Sequence, residues 1–203
     1  MPRPTDRRTV TRLDPETRRT QIIASAARLF ETHDPLDVRF EEIADAAGVS
    51  RALVYNYFGD RGGLLAAVYL HHFDAVQQHV MDAVDPAASR EDRVRATVRA
   101  YVDFASEHPG AWRILHVVRA NKHQAVAAAR EQRMLTLAEH WGGTPQARVV
   151  TSAVVGALET ATVDWLRSSE GISPDLIAEV LHDLLWSGMQ GLGRRDLIER
   201  PLP

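Results

Sequence analysis

Cysteine is absent from this 203-residue chain, and several other features that mark particular classes of protein are missing too. Without cysteine the chain forms no disulfide framework and offers no thiolate for catalysis. No apolar run approaches the length of about 20 residues needed to cross a membrane. No segment near the start resembles a signal peptide. We therefore expect a cytoplasmic protein with no membrane partner.

Lysine is almost missing as well, because the basic residues are arginines apart from Lys122. The net charge of −3 is unusual for a nucleic-acid-binding protein until it is followed along the chain. Residues 1–28 carry seven Arg against Asp6, Asp14 and Glu16, whereas the remainder is acidic. This asymmetry is typical of a basic arm that reaches DNA from an acidic body. A merely solubilising tail is the alternative.

Residue types that serve in enzymes are present without the spacing that catalysis needs. His72 and His79 lie two helical turns apart, whereas helical metal ligands are commonly three or four residues apart, as in the absent motif H-E-x-x-H. The glycines within 188–193 follow no strand, so they form no dinucleotide loop. Ser152 and Ser187 lack the glycine elbow of a nucleophilic serine. We predict no enzyme, no cofactor and no metal site.

The hydrophobic pattern predicts an all-α fold of about nine helices. The breaks at 85–86, 108–110 and 142–145 are rich in proline and glycine and separate the later helices. We expect a flexible basic arm over 1–13, a three-helix helix-turn-helix DNA-binding domain over 14–60, and a helical ligand-binding and dimerisation domain over 61–203. The predicted helices span 15–31, 61–84, 90–107, 111–118, 124–140, 146–168 and 174–189, and two short helices precede the second of these ranges.

The stretch 38–64 is the most informative part of the chain, because it predicts two short helices joined by a tight turn. One apolar stripe, formed by Phe40, Ile43, Ala44 and Ala47, marks the first helix. Gly48 favours the left-handed backbone that ends a helix. Ser50 is a good N-cap, and Val49 and Val54 fit a hydrophobic staple. The outer face of the second helix carries Arg51, Ala52, Tyr55 and Asn56, which suits a helix placed against DNA.

The run from Leu29 to Leu64 resembles the DNA-binding domain of the TetR family of bacterial regulators. The matching residues are Leu29-Phe30, Glu42-Ile43-Ala44, Ala47-Gly48-Val49-Ser50, Tyr55-Asn56-Tyr57-Phe58, Arg61 and Leu64. Two positions depart from the family pattern. Asp34 stands where glycine is common, although aspartate tolerates such turns. Arg39 stands where Thr or Ser usually caps the helix, and arginine can meet phosphate but cannot cap.

The resemblance implies a homodimer that reads a palindrome in double-stranded operator DNA. Phosphate contacts are expected from Arg39, Ser50, Arg51, Tyr55, Tyr57 and Arg61, since tyrosine hydroxyls and helix N-termini commonly position a protein on DNA. Base edges are expected to meet Arg51, Ala52, Leu53 and Asn56. Gly62 and Gly63, at the base of the helix that joins the two domains, could form a hinge or a frayed helix start.

Two further predictions concern the second domain. The last two long helices are more apolar than one small core requires, and family members dimerise through such a pair. The expected interface residues are Val150, Ala153, Val154, Ala157, Leu158, Ala161, Leu181, Leu184 and Leu185. A largely apolar effector pocket is expected between the joining helix and the dimer helices. Its candidate lining residues are Tyr69, Phe73, Tyr101, Phe104, Trp112, Leu115, His116, Met134, Trp141, Asp164 and Trp165.

Taken together, the residues and the resemblance favour a ligand-responsive regulator of transcription, with repression preferred over activation. The alternative is a helical binding or adaptor protein that has lost its DNA contacts. The presence of Tyr55, Tyr57 and Arg61 argues against this alternative.

Overall fold

The computed structural model describes residues 14–112, 114, 123–139, 142–168 and 171–193. These residues are helical with no strand, as the all-α prediction requires. Eight helices have defined bounds: α1 (Pro15–Thr32), α2 (Phe40–Ala47), α3 (Arg51–Phe58), α4 (Arg61–Ala83), α5 (Arg90–Glu107), α6 (Gln124–Glu139), α7 (Pro145–Ser168) and α8 (Pro174–Gly193). Residues 109–112 are also helical. Most of the helix predicted at 111–118, and the whole basic arm, lie outside the described residues.

The first three helices and the start of α4 share one apolar core. α1 begins where the sequence predicts, because the Asp14 carboxylate accepts hydrogen bonds at 3.0 Å from the backbone N–H groups of Glu16 and Thr17. The following Pro15 needs no such partner, since proline has no N–H. Side chains from all four helices are buried together in this core, among them Ile22, Ala26, Phe30, Ile43, Ala44, Val54, Leu64 and Leu65. This core fixes the orientation of α3, the predicted recognition helix.

The loop between α1 and α2 shows how Asp34 replaces the usual glycine. Its carboxylate accepts a hydrogen bond from the Leu36 N–H at 2.7 Å, and its carbonyl accepts from the N–H groups of Asp37 and Val38. Aspartate therefore holds the turn by side-chain bonding.

The remaining helices build the body of the protein. α4 lies against both α5 and α6, α5 lies against α8, and α7 lies against α6. A second apolar core joins α5, α7 and α8 through Val98, Val102, Leu158, Trp165, Ala178 and Leu181. The Trp165 indole donates a hydrogen bond to the Ile172 carbonyl at 2.9 Å, which satisfies its one polar group.

Two glycines at the start of α4 are explained by close packing. A Cβ atom at Gly63 would lie 2.0 Å from the Phe58 carbonyl oxygen, and one at Gly62 would lie 2.1 Å from Nδ1 of His123. The helix start itself is capped, since the Asp60 carboxylate accepts from the Gly63 N–H at 2.9 Å. A frayed start is therefore not seen here, while the hinge role stays a prediction.

Helix α7 corrects one expectation from the sequence. Within the described part of the chain it is long and apolar enough, by length and composition alone, to cross a membrane, although no run of that length was expected. Core helices of proteins outside membranes pass the same test, and α7 carries the buried carboxylate of Glu159. Only 28% of its most apolar stretch is buried in the single chain, so much apolar surface remains uncovered.

Candidate nucleic-acid interface and internal cavity

The turn between α2 and α3 has the geometry of a helix-turn-helix unit. Gly48 has a φ of 63°, a left-handed conformation that favours glycine. Val49 N–H donates to the Ala44 carbonyl at 2.9 Å and closes the end of α2. The Ser50 hydroxyl accepts from the Leu53 N–H at 3.3 Å and caps α3, as predicted.

The two faces of α3 differ sharply. Val54 and Phe58 are buried against the first core. The opposite face exposes Arg51, Ala52, Tyr55 and Asn56, and Leu53 and Tyr57 are half-buried between the two faces. The predicted base-reading residues therefore lie together on one accessible surface.

Arg51 is already engaged by its neighbours on this surface. Its guanidinium lies 2.6 Å from the Glu41 carboxylate and donates to the Tyr55 hydroxyl at 3.2 Å. Tyr55 in turn packs on Phe40, with ring centroids 4.6 Å apart. The Tyr55 hydroxyl, followed by Glu41, raises the pKa of Arg51. Since the ion pair is exposed, it is weak enough for a phosphate or a base to replace it.

Two other predicted phosphate contacts have different surroundings. Arg39 precedes α2, and its side chain caps nothing, as expected. Glu42 caps that position instead by accepting from the Arg39 N–H at 2.7 Å. The Glu42 carboxylate also lies 3.6 Å from the Arg39 guanidinium, and the Arg39 side chain is 71% exposed. Arg61 donates to the carbonyls of Pro35 and Leu36 at 2.8 and 2.5 Å. Arg61 therefore fastens α4 to the α1–α2 loop, a role that the sequence did not suggest.

Gln21 is a positioning residue that the sequence analysis missed. Its amide nitrogen donates to the Ala47 carbonyl at 2.9 Å, in the last turn of α2. That carbonyl has no partner inside its own helix, because a helix leaves its final carbonyls free. Gln21 thus holds the end of α2 against α1. No local pattern marks this role, since it depends on how the two helices cross.

The body contains a cavity of about 260 Å³ between α4, α6 and α7. Its lining residues are Tyr69, Arg130, Glu131, Met134, Ser152, Val155, Gly156 and Glu159. The Tyr69 hydroxyl is buried close to Arg130, which acts to lower its pKa, but it makes no hydrogen bond of good geometry within the described residues. Burial, with a smaller effect of the Glu159 carboxylate, raises the pKa of Tyr69 to about 12, so this hydroxyl stays a neutral donor. A ligand acceptor could satisfy it.

Most of the predicted pocket residues lie elsewhere. Tyr69 and Met134 line the cavity, whereas Phe73, Tyr101, Phe104 and Trp112 pack in or against the first core. Trp165 belongs to the second core and Asp164 is exposed. Leu115, His116 and Trp141 lie outside the described residues. The cavity is also more polar than expected, because the sequence analysis overlooked Arg130, Glu131 and Glu159.

The predicted dimer residues divide into two groups. Leu158 and Leu181 are buried in the second core of the single chain, and Val150 is buried too. Leu184 and Ala153 are exposed, and the other predicted residues, Val154, Ala157, Ala161 and Leu185, are half-buried. Val149 and Val180 are further exposed large apolar residues on the same two helices. The uncovered apolar surface therefore centres on Val149, Ala153, Val180 and Leu184.

Among the described residues, no group of three or more His, Asp or Glu side chains could hold a metal ion. The buried His72, for example, belongs to no such group among these residues. Its Nε2 has no hydrogen-bond partner among the residues that the structure describes, and burial, followed by the charges of His71 and His108, lowers its pKa to about 4.

Comparison with known proteins agrees with this geometry. The family model for bacterial regulatory proteins of the tetR family matches residues 22–68, which span most of α1, all of α2 and α3, and the first turns of α4. The HTH-type transcriptional activator FasR of Mycolicibacterium smegmatis is 26% identical over 187 residues, covering 88% of this chain and 85% of FasR. The similarity to FasR therefore extends through the body of the protein.

Solved structures share the fold of both domains. A tetR-family transcriptional regulator from Streptomyces coelicolor matches with a TM-score of 0.67 and 24% identity, over 93% of this chain and 92% of that one. AibR, crystallised with isovaleryl coenzyme A and operator DNA, matches with a TM-score of 0.57 and 19% identity, over 82% of this chain and 97% of that one. Together with the helix-turn-helix geometry, these matches show that the chain is a DNA-binding transcriptional regulator and that its residues 22–68 form a DNA-binding domain of the tetR type.

Proposed function

We propose that this chain is a ligand-responsive repressor that binds a palindromic operator as a homodimer and is released by a small molecule. The exposed face of α3 carries the proposal. Arginine can read guanine and asparagine can read adenine, so Arg51 and Asn56 would supply sequence specificity. Ala52 and Leu53 would meet thymine methyl groups.

Phosphate contacts would set the position of α3 on the duplex. The exposed Arg39, the Ser50 hydroxyl at the helix N-terminus and the hydroxyls of Tyr55 and Tyr57 flank the base-reading face. Such contacts bind all sequences alike and weaken as salt rises. Arg61 would contribute mainly through its bonds to the α1–α2 loop. The basic arm would add a contact in the adjacent minor groove.

A dimer would follow from the exposed apolar surface of α7 and α8. One recognition helix reads few base pairs, while two helices about 34 Å apart read a palindrome. A two-fold axis through the surface around Val149, Val180 and Leu184 would bury it against its own copy, since such an interface is self-complementary. This arrangement also accounts for the low burial of α7 in the single chain.

The cavity would hold the effector. Its lining by α4, which leads directly from α3, gives a ligand a route to alter DNA binding. Allosteric coupling commonly amounts to about 1–3 kcal/mol, so an effector should weaken operator binding about 5- to 150-fold. AibR bears both isovaleryl coenzyme A and operator DNA in its crystal structure, which supports the same pairing of sites here. Action on DNA also supports a cytoplasmic location.

Repression is the preferred direction, although FasR is named an activator. The same dimer would repress when its operator overlaps a promoter and could activate when the operator lies upstream. A reporter driven by the native upstream region, with and without the intact gene, distinguishes the two. Higher expression without the protein supports repression, and lower expression overturns it.

The first experiment measures binding to DNA from just upstream of the protein's own gene and to scrambled DNA, at low and moderate salt. We expect tight, salt-sensitive binding and a protected palindrome. Asn56→Ala should reduce the preference for the operator over scrambled DNA. Gln132→Ala, which removes an exposed carboxamide on α6, is the matched control and should leave both affinities unchanged. Binding equal to that of scrambled DNA would count against the proposal.

A further inference from the structure

One imidazole connects the N-termini of two helices that belong to different parts of the molecule. Nε2 of His123 lies 3.1 Å from the Asp60 carboxylate, and the Ala125 N–H donates to Nδ1 at 3.2 Å. Because Nδ1 accepts a hydrogen bond, the ring proton is assigned to Nε2, which therefore donates to Asp60. His123 thus serves the first turn of α6 with one nitrogen and the cap of α4 with the other.

The space for this ring is provided by the sequence of α4. A Cβ atom at Gly62 would lie 2.1 Å from Nδ1 of His123, so any larger residue would displace the imidazole. Asp60 also accepts from the Gly63 N–H, so its carboxylate is fixed by α4 before His123 reaches it. Asp60 stands two residues after Phe58, the last residue of the recognition helix.

The other side of the connection leads to the cavity. α6 begins one residue after His123 and contributes Arg130, Glu131 and Met134 to the cavity wall. Farther along, Arg133 forms an ion pair with Asp74 of α4. A displacement of α6 by a ligand would therefore be carried to α4 through the packed surface of the two helices and through these two polar contacts, of which the one at His123 lies nearer to α3.

We propose that His123 is a positioning residue that couples the cavity to the recognition helix through its bond to Asp60. The inference rests on the proposed function and names the contact by which the ligand would act. A ligand that moves the N-terminus of α6 would pull on the Asp60 cap and turn α3. Loss of the bond should leave DNA affinity unchanged in the chain with an empty cavity. It should reduce the change in DNA affinity that follows when the cavity is filled.

A cavity-filling substitution replaces the unidentified ligand. Gly156 lines the cavity, and a Cβ there meets no atom within 4 Å, so the ring of Gly156→Phe would occupy the open space. Gly156→Leu adds a smaller side chain at the same position and replaces Gly156→Phe if that variant does not fold. Thermal unfolding and circular dichroism confirm that each variant is folded before DNA binding is measured.

Two substitutions at His123 separate its two bonds. His123→Asn places an amide oxygen near the position of Nδ1, so it keeps the bond from Ala125 and ends short of Asp60. His123→Gln reaches toward Asp60 with its terminal amide and lacks the bond from Ala125. Affinity for the upstream DNA is measured for both variants and for the natural chain, each with and without Gly156→Phe.

In the natural chain we expect Gly156→Phe to weaken DNA binding about 5- to 150-fold. This factor should fall by about 3-fold or more in His123→Asn, as expected for one lost hydrogen bond, and should persist in His123→Gln. An equal factor in all three backgrounds would overturn the role of His123. An equal fall in both variants would overturn the assignment to the Asp60 bond. A Gly156→Phe chain that binds DNA normally would count against ligand release itself.

Hydrogen exchange gives a second test that needs no ligand, because coupling is reciprocal. Bound DNA should slow exchange of the amides in the first turns of α6 in the natural chain and in His123→Gln. The effect should be absent in His123→Asn. The same protection in all three chains, or in none, would overturn the proposal even where Gly156→Phe has no effect.

Discussion

The Arg51 guanidinium lies 2.6 Å from the Glu41 carboxylate, so the first residue of the recognition helix is paired with the helix before it. The pair is about half exposed on both sides. An exposed pair of this kind contributes little to folding. Under the proposed function its importance would be for DNA binding, because a phosphate or base would have to compete with Glu41 for the same guanidinium.

Glu41→Gln should therefore strengthen operator binding, by about 2- to 5-fold, a range set by the weakness of exposed ion pairs. Removing any acidic residue near DNA could raise affinity by long-range attraction alone. The double-mutant cycle with Arg51→Ala separates the two causes. If Glu41→Gln has the same effect in the Arg51→Ala chain, the carboxylate does not compete for Arg51. Titration by fluorescence anisotropy at two salt concentrations gives the four affinities.

The helix-turn-helix unit was predictable because its determinants are local. Gly48 ends α2 through its own backbone conformation, and Ser50 caps α3 within four residues. The burial of Val54 follows from helical periodicity alone. The side chains that stabilise these elements are neighbours in sequence, so the pattern of residue types contains the needed information.

The cavity was less predictable because its lining depends on how three helices are rotated against one another. Aromatic residues such as Phe73 and Trp165 were natural candidates, yet they fill the cores. The residues that mark the cavity on α7 are the ones that interrupt its apolar pattern. Gly156 leaves open space in the middle of α7, and Glu159 places a buried carboxylate one turn later. Such exceptions indicate a cavity only once the facing helix is known.

The glycines of α4 give a prediction about stability whose sign is unusual. Glycine to alanine normally stabilises a helix interior by about 1 kcal/mol. Gly63→Ala should instead destabilise the protein by about 2 kcal/mol or more, because its Cβ would meet the Phe58 carbonyl, a backbone atom that cannot rotate away. Urea unfolding measures the change.

Two other glycines are the controls for this prediction. Gly62→Ala should cost less than Gly63→Ala, since the His123 ring can move aside. Gly156→Ala should be neutral or stabilising by up to about 1 kcal/mol, because nothing lies near its Cβ. Equal effects at all three positions would contradict the packing explanation.

His72 makes stability depend on pH. Its pKa is about 4 in the folded chain, lowered first by burial and then by the charges of His71 and His108, against an unfolded value of 6.5. Between pH 6.5 and 4 the unfolded chain binds a proton at this site and the folded chain does not. The free energy of unfolding should therefore decrease as the pH is lowered from 6.5 to 4, by up to about 3 kcal/mol.

His72→Gln, which cannot titrate, isolates this contribution from those of the other histidines. The difference in unfolding free energy between the natural chain and the variant should shift by about 3 kcal/mol from pH 7.5 to pH 4. The natural chain should lose the larger amount. A difference that does not change with pH would show that His72 keeps an ordinary pKa. Urea unfolding at four pH values is sufficient.

The dimer surface can be tested with a closely matched pair of exposed apolar residues. Leu184 on α8 and Met81 on α4 are 63% and 62% exposed, so a charge at either position costs the single chain little. If α7 and α8 form the interface, Leu184→Glu places a carboxylate in a buried apolar contact beside its own symmetry mate. We expect sedimentation equilibrium to show a monomer for Leu184→Glu and a dimer for Met81→Glu. Operator affinity should fall steeply only for Leu184→Glu, because two recognition helices must act together. A dimer that survives Leu184→Glu would place the interface on another surface of the protein.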